Sequence, residues 1–328
     1  NNFPESSCSA KVHAMHKVLI THQLPGDKIH ELSSSSEVTV WMGPGLLGAE
    51  ALREELKDCV GVVCMLTDRI DEKLLDACPQ LKFISSMSVG VDHIDVAAAS
   101  ERSIAVGNTP GVLVETTADA TFALLLAASR RIAEADLYVR GGHWSDENAW
   151  SPDFFVGKDV AGATLGIIGL GEVGKAVSRR AKGFGMRVLG WNHREKSVAG
   201  IESVSLEQLL NDSDFVCITI ALAKETRHLI DADKLALMKH DAVLINTSRG
   251  GIVDEEALVD ALVNGRLGSA ALDVFAREPL AADHPLVRLP NVVLTPHIGS
   301  ATHDTRCKMA DMAAANALAA LSEMPMPS

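Results

Sequence analysis

The sequence predicts an α/β protein built from two doubly wound parallel-sheet domains, and three features carry that prediction. Its 328 residues amount to about two domains of roughly 150 residues each. Short β-rich apolar runs alternate with helix-compatible stretches along most of the chain, which is the pattern of βα units. These runs fall into two series separated by an alanine- and leucine-rich stretch. A 47% hydrophobic content suffices for buried cores, while 22% charged residues argue against a disordered or fibrous chain.

Taken in order, residues 1–14 precede Met15-His16-Lys17-Val18, which reads as a natural start, so they are expected to be an appendage. The first strand series is Val18-Leu19-Ile20, Val38-Thr39-Val40, Val62-Val63-Cys64-Met65, Phe83-Ile84 and Ile104-Ala105-Val106, with helical stretches at 49–57 and 71–77 between them. Residues 112–138 read as one long helix spanning from the first domain to the second, and 141–159 as a loop. The second series comprises Leu165-Gly166-Ile167-Ile168, Arg187-Val188-Leu189, Val216-Cys217-Ile218-Thr219, Val243-Leu244-Ile245, Ala271-Leu272 and Val292-Val293-Leu294. Beyond it, Met309, Met312, Ala313, Leu318 and Leu321 recur at helical spacing, so a helix over 302–321 is expected to pack back on the first domain, with His303 in its first turn.

Thirty Lys and Arg against 43 Asp and Glu give a net charge of −13, which repels polynucleotides and anionic membranes. Any anionic ligand must therefore be held by local donors. No apolar run reaches the roughly 20 residues that span a bilayer, and residues 1–10 lack the pattern of a signal peptide. Cys8, Cys59, Cys64, Cys78, Cys217 and Cys307 show no paired spacing, so they are expected to be reduced and structural, with no metal bound. A cytoplasmic location is expected.

Gly169-Leu170-Gly171-Glu172-Val173-Gly174 matches G-x-G-x-x-G directly after an apolar strand and at the start of a helix marked by Val173, Val177, Ala181 and Phe184. Gly169 permits a tight turn, Gly171 lets backbone amides approach a pyrophosphate, and Gly174 allows close helix–strand packing. The helix start at Glu172 and Val173 offers unpaired N–H groups to the phosphates. This is a Rossmann dinucleotide site, although a methyltransferase can carry a similar turn. Where NAD enzymes usually place a carboxylate at the end of the next strand, this chain has Asn192, followed by His193, Arg194 and Lys196. A neutral residue beside cations suits a 2′-phosphate, so NADP(H) is expected to be preferred, with NAD(H) possible. Glu195 cancels part of that charge.

Three polar residues then stand after strands of the second series, where open α/β sheets bind ligands. Arg249 lies in Asn246-Thr247-Ser248-Arg249-Gly250-Gly251, Glu278 in Asp273-Val274-Phe275-Ala276-Arg277-Glu278-Pro279, and His297 in Thr295-Pro296-His297-Ile298-Gly299. Together with Met87-Ser88-Val89-Gly90-Val91-Asp92-His93, Gly107-Asn108-Thr109-Pro110-Gly111 and the glycine motif, these stretches resemble the D-2-hydroxyacid dehydrogenase family. The resemblance runs from about Lys17 onward and leans toward the glyoxylate and hydroxypyruvate reductase branch, on the evidence of Asp283-His284-Pro285-Leu286, the His297 region followed by Arg306, and the final Glu323-Met324-Pro325-Met326-Pro327-Ser328.

The resemblance implies a Rossmann domain at 109–298 inserted into a flavodoxin-like substrate domain made of 1–108 and 299–328. It implies reduction of small 2-keto acids, with His297 as general acid and base, Glu278 favouring its imidazolium, and Arg249 gripping the substrate carboxylate and keto oxygen. The backbone amides of Val89 and Gly90 would also hold the carboxylate, with His93 buttressing their loop. Asp273, Thr247 and Gly299 match positions lining the cofactor. A homodimer is implied, with Trp144 and Trp150 in the dimerisation loop and Trp150 reaching the partner's active site. Two departures stand out: Asp119 where the family often has Glu, and Ala221-Leu222-Ala223 where Leu-Pro is more usual. Two rival readings share the scaffold: a short phosphoglycerate dehydrogenase, and a dinucleotide-sensing corepressor with a peptide-binding surface. Formate dehydrogenase fits less well, because the His297 context resembles the hydroxyacid branch.

Overall fold

The computed structural model describes residues 16–43, 45–194 and 196–328; the expected appendage at 1–14, the start at Met15 and the charge of Glu195 lie outside the described residues. The chain divides into two compact units, one made of residues up to Pro110 together with Arg306–Ser328, the other of Gly111–Thr305. The expected bounds lay at 108/109 and 298/299.

In the first unit five parallel strands, β1 (Lys17–Ile20), β2 (Glu37–Val40), β3 (Gly61–Cys64), β4 (Phe83–Ser86) and β5 (Ala105–Gly107), run in the order β2-β1-β3-β4-β5 among the described residues. This is the flavodoxin-like winding. Helices α1 (Lys28–Ser35), α2 (Ala49–Leu56), α3 (Glu72–Ala77) and α4 (Val96–Glu101) cover it. The Asp71 and Asp95 side chains start α3 and α4 by accepting the Leu74 and Ala98 amides, so both helices begin where the chain leaves a strand-end loop. Leu19, Val62 and Ile84 from the sheet pack with Leu52, Leu56, Leu75 and Ala99. Strands buried on both faces read as continuous apolar runs, which is why they were visible in the sequence.

The second unit holds α5 (Val114–Ser129), α6 (Ile132–Arg140), β6 (Thr164–Ile168), α7 (Glu172–Gly183), β7 (Arg187–Trp191), β8 (Glu202–Ser203), α8 (Leu206–Asp212), β9 (Phe215–Ile218), α9 (Ala232–Ala236), β10 (Val243–Asn246), α10 (Glu255–Val263), β11 (Ser269–Leu272) and β12 (Val292–Leu294). Its described strands are all parallel, in the order β12-β11-β10-β9-β6-β7-β8. The winding reverses on either side of β6, the switch point at which such sheets bind ligands. One face buries Ile168, Leu189, Val216 and Leu244 beneath Leu209 and Leu258. The other buries Ile167, Val188, Phe215 and Ile245 beneath Leu125 and Val177.

The expected single helix over 112–138 is instead two. Arg131 takes a left-handed conformation with φ 53°, and its guanidinium bonds the Glu134 carboxylate and lies 4.9 Å from the centre of the Phe155 ring. Those contacts hold the break, and α5 and α6 both belong to the second unit. The edge strand β8 has no counterpart in the expected series. The last helix, α11 (His303–Leu321), starts at His303 as expected. It is tied to the first unit where the Ser85 hydroxyl donates to the Ala313 carbonyl at 2.8 Å and buried Asn316 donates to the Asn108 carbonyl at 3.0 Å. Among the described residues, no helix is long and apolar enough to cross a membrane, and Cys59, Cys64, Cys78 and Cys217 are free thiols.

Candidate active site

Because every strand of the second sheet is parallel, the loops leaving β6, β7, β10, β11 and β12 all open at one edge. The glycine motif follows β6. Gly169 adopts φ 106°, and a Cβ there would fall 2.4 Å from the Ile220 nitrogen; one on Gly174 would fall 2.1 Å from the Gly169 carbonyl. Both positions therefore exclude any side chain. Gly171 is different, because a Cβ there would meet nothing within 4 Å. Packing does not require that glycine, and it leaves open space over the start of α7 and its amides, the place where this motif takes a dinucleotide pyrophosphate.

Glu172 opens α7 and pairs with Lys175 at 2.8 Å. The Lys175 hydrogen bond and charge, with smaller contributions from Lys196 and Arg179, hold its carboxyl below the ordinary range. Val173 follows Glu172 in the first turn of α7. At the end of β7, Asn192 accepts the Leu170 amide at 3.1 Å and donates to the Arg194 carbonyl at 2.8 Å. Its side chain thus stitches the glycine loop to the turn that carries exposed His193, Arg194 and Lys196. Asp119, on α5, bonds the Arg180 Nε of α7 at 2.7 Å, so this residue bears on the helix behind the motif. In the Ala221-Leu222-Ala223 segment the Thr226 hydroxyl accepts the Ala223 amide at 2.7 Å and donates to the Ala221 carbonyl at 2.8 Å.

Arg249 sits one turn beyond β10. Buried Asn246 shapes that turn by donating to the Arg249 carbonyl at 2.9 Å and accepting the Ser248 amide at 3.0 Å. Thr247 shares a 2.7 Å hydroxyl hydrogen bond with Thr121. After β11 comes Asp273, fully buried, whose carboxylate accepts the Thr295 hydroxyl at 2.6 Å and the Ile298 and Gly299 amides at 2.8 and 2.7 Å. Its carbonyl also accepts the His297 amide at 2.9 Å. Asp273 thereby holds the loop on which His297 adopts a left-handed φ of 55°.

His297 and Glu278 meet directly. The imidazole Nδ1 lies 2.7 Å from Glu278 Oε2, while Glu278 Oε1 accepts the Phe275 amide at 3.0 Å. With Nδ1–H donating to the carboxylate, Nε2 is the nitrogen left for a reacting group, and no described residue bonds it. Burial pushes the Glu278 carboxyl up, but the His297 hydrogen bond and charge, the Phe275 amide and the Arg249 charge outweigh it and leave the group below the ordinary value of 4.5. The three predicted catalytic residues thus converge on one edge of one sheet.

Val89 and Gly90 belong to the first unit and follow β4. A buried chain of hydroxyls shapes their loop: the Ser86 Oγ lies 3.0 Å from His93 Nε2 and 2.7 Å from Ser88 Oγ, and Ser88 donates to the Gly90 carbonyl at 2.6 Å. Asn108 donates to the Val89 carbonyl at 2.8 Å. His93 buttresses the loop, as expected.

The sequence profile of the D-isomer specific 2-hydroxyacid dehydrogenase NAD-binding domain matches residues 122–299. A glyoxylate reductase from Korarchaeum cryptofilum is 47% identical over 307 residues, covering 92% of each chain. The chain belongs to the D-2-hydroxyacid dehydrogenases. A Thermus thermophilus protein of solved structure superposes with a TM-score of 0.88 at 44% identity, covering 95% of this chain and 99% of that one. An NADPH-dependent glyoxylate/hydroxypyruvate reductase from Sinorhizobium meliloti, solved with NADP and malonate, superposes with a TM-score of 0.83 at 31% identity and 93% coverage of both.

Among the residues that sequence reasoning missed in this dehydrogenase, one is fixed by close backbone packing at the candidate site. Gly250 follows Arg249, and a Cβ on it would lie 1.9 Å from the Phe275 carbonyl carbon and 2.3 Å from the Ala276 nitrogen. The Arg249 turn and the Glu278 turn touch backbone to backbone there. The available signal was the Gly-Gly pair after a strand, which reads equally well as an ordinary turn. Gly250→Ala must push the two turns apart, and a misplacement near 1 Å costs about 100-fold in kcat. Gly251→Ala is the control, since its Cβ would meet side-chain atoms no nearer than 3.5 Å. Steady-state rates for the two variants test this; equal losses would refute it.

Glu278 also sets a pH dependence. Its folded pKa lies below its unfolded value, so its ionisation stabilises the fold above about pH 4.5, and that contribution is lost as pH falls through the lowered folded value. The melting temperature of wild type minus that of Glu278→Gln therefore falls on acidification below about pH 4.5. A difference independent of pH down to about pH 3 would contradict this.

Proposed function

We propose that this cytoplasmic enzyme reduces glyoxylate and hydroxypyruvate to D-2-hydroxy acids, preferring NADPH over NADH and acting as a homodimer. The observation that carries the reading is the His297–Glu278 hydrogen bond beside Arg249, at the sheet edge shared with the glycine motif. The nicotinamide supplies a hydride to the keto carbon when it is bound. His297 Nε2 delivers a proton to the developing alkoxide, and Glu278, through Nδ1, steadies the imidazolium before transfer and orients the ring. Arg249 offers a planar donor fork to carboxylate and keto oxygen. The amides of Val89 and Gly90, which no described residue engages, are the carboxylate donors of the first unit.

The cofactor preference is supported by Asn192, which brings no negative charge, and by exposed His193, Arg194 and Lys196 beside it. The names of the glyoxylate reductase relatives and of the NADPH-dependent neighbour point the same way. The decisive measurement is initial rates with glyoxylate, hydroxypyruvate and pyruvate, each with NADPH and NADH. Glyoxylate and hydroxypyruvate with NADPH are expected to be fastest, and Arg194→Ala to raise the apparent KM for NADPH more than that for NADH. No acceleration with any pair would refute the activity, and binding without turnover would favour a dinucleotide-sensing corepressor.

The homodimer is supported by α6, which buries no residue of its own and leaves Leu137 70% exposed, and by Trp150, 77% exposed in the loop that follows. Sedimentation velocity should give twice the chain mass. Trp150→Ala should alter the ranking of small and bulky keto acids if the indole limits a neighbouring active site; an unchanged ranking would remove that role.

A further inference from the structure

A second carboxylate–imidazole pair lies behind the first. Glu255 is the first residue of α10, and its side chain is 17% exposed. Its Oε2 accepts the Ala276 amide at 3.0 Å, and its Oε1 lies 3.3 Å from His284 Nε2. On the other side of that ring, Nδ1 accepts the Leu286 amide at 3.3 Å, which places the imidazole proton on Nε2, facing Glu255.

We propose that Glu255, oriented by His284, is a positioning residue for Glu278, holding the turn that aims Glu278 at His297 while touching no reacting atom. The proposal rests on the catalytic reading above. Phe275 and Ala276 present consecutive amides to two different carboxylates: Phe275 to Glu278 and Ala276 to Glu255. The turn is pinned between them, with Gly250 pressed against the same peptide. Ala276, Arg277 and Pro279 lie outside any helix or strand and are not buried, so side-chain burial does little to fix this segment. Capping of α10 does not account for Glu255, because Asp254 already caps that helix through the Ala257 amide. A carboxylate in the first helical turn is, moreover, favoured by the helix dipole, which helps hold Glu255 in place.

Losing the pin lets the 275–278 turn shift, so Glu278 spends less time bonded to His297. Glu255→Ala is expected to lower kcat for keto-acid reduction about tenfold with KM little changed, because orientation at the proton donor is lost and substrate binding is not. In the free protein it should also weaken the downfield NMR resonance of the His297 Nδ1 proton, which reports the hydrogen bond to Glu278. Glu255→Gln keeps an acceptor for the Ala276 amide but turns an NH2 group toward the His284 Nε2 proton, so it should restore both properties most of the way. A Glu255→Ala variant with wild-type Nδ1 proton resonance and kcat would overturn the proposal, as would a Glu255→Gln variant as impaired as Glu255→Ala. Should Glu255→Ala fail to fold, His284→Ala against His284→Gln, which keeps a donor toward Glu255, asks the same question. The NMR arm needs no substrate, so wild type inactive on every keto acid would sink the proposed activity while the Nδ1 proton resonance still judged the brace.

Discussion

The catalytic edge depends on one buried carboxylate. Asp273 is wholly removed from solvent, and so polar a side chain is tolerable there only because the Thr295 hydroxyl and the Ile298 and Gly299 amides satisfy its oxygens. Those three donors span the His297 loop. Their convergence on a single acceptor over-determines the loop and lets His297 remain in a left-handed conformation, which costs a side-chain-bearing residue about 1–3 kcal/mol. Without that clamp the imidazole would have no reason to face Glu278.

Everything else at the edge follows from strand direction. In a parallel sheet each βα loop leaves from the same side, so β6, β7, β10, β11 and β12 contribute one element of the site apiece. These are a helix start with open space above it, a turn with three cationic or titratable side chains, an arginine, a clamp and the His297 imidazole. None of these groups needs to be near another in sequence. Their mutual distances are set by the strand spacing of any sheet, about 4.8 Å, and then refined by contacts such as Gly250 against Phe275.

The strands were legible because parallel strands buried on both faces appear as uninterrupted apolar runs, and the fold class followed from their alternation with helices. β8 was not, because Glu202 and Ser203 are two exposed residues at a sheet edge with no apolar signal. Nor was the break between α5 and α6: no Gly or Pro marks it, and Arg131 is held in its turn by Phe155, which lies in a distant loop. That Arg249, Glu278 and His297 belong to one site was expected from motif resemblance, and the structure brings them to one sheet edge. The residues that hold it, Asn246, Gly250, Glu255 and His284, were not expected, since each acts through a backbone group whose nearness exists only in the folded chain.

Two Glu–His pairs in neighbouring turns show why residue type alone could not separate their roles. In both, a carboxylate faces an imidazole, yet the backbone claims a different ring atom in each. At His284 the Leu286 amide occupies Nδ1, so the ring proton sits on Nε2 and faces Glu255 at 3.3 Å. At His297 Glu278 occupies Nδ1 while the backbone holds only the residue's own amide, leaving Nε2 to exchange a proton. The distinction between a brace and a proton donor thus reduces to which nitrogen the neighbouring main chain has already satisfied.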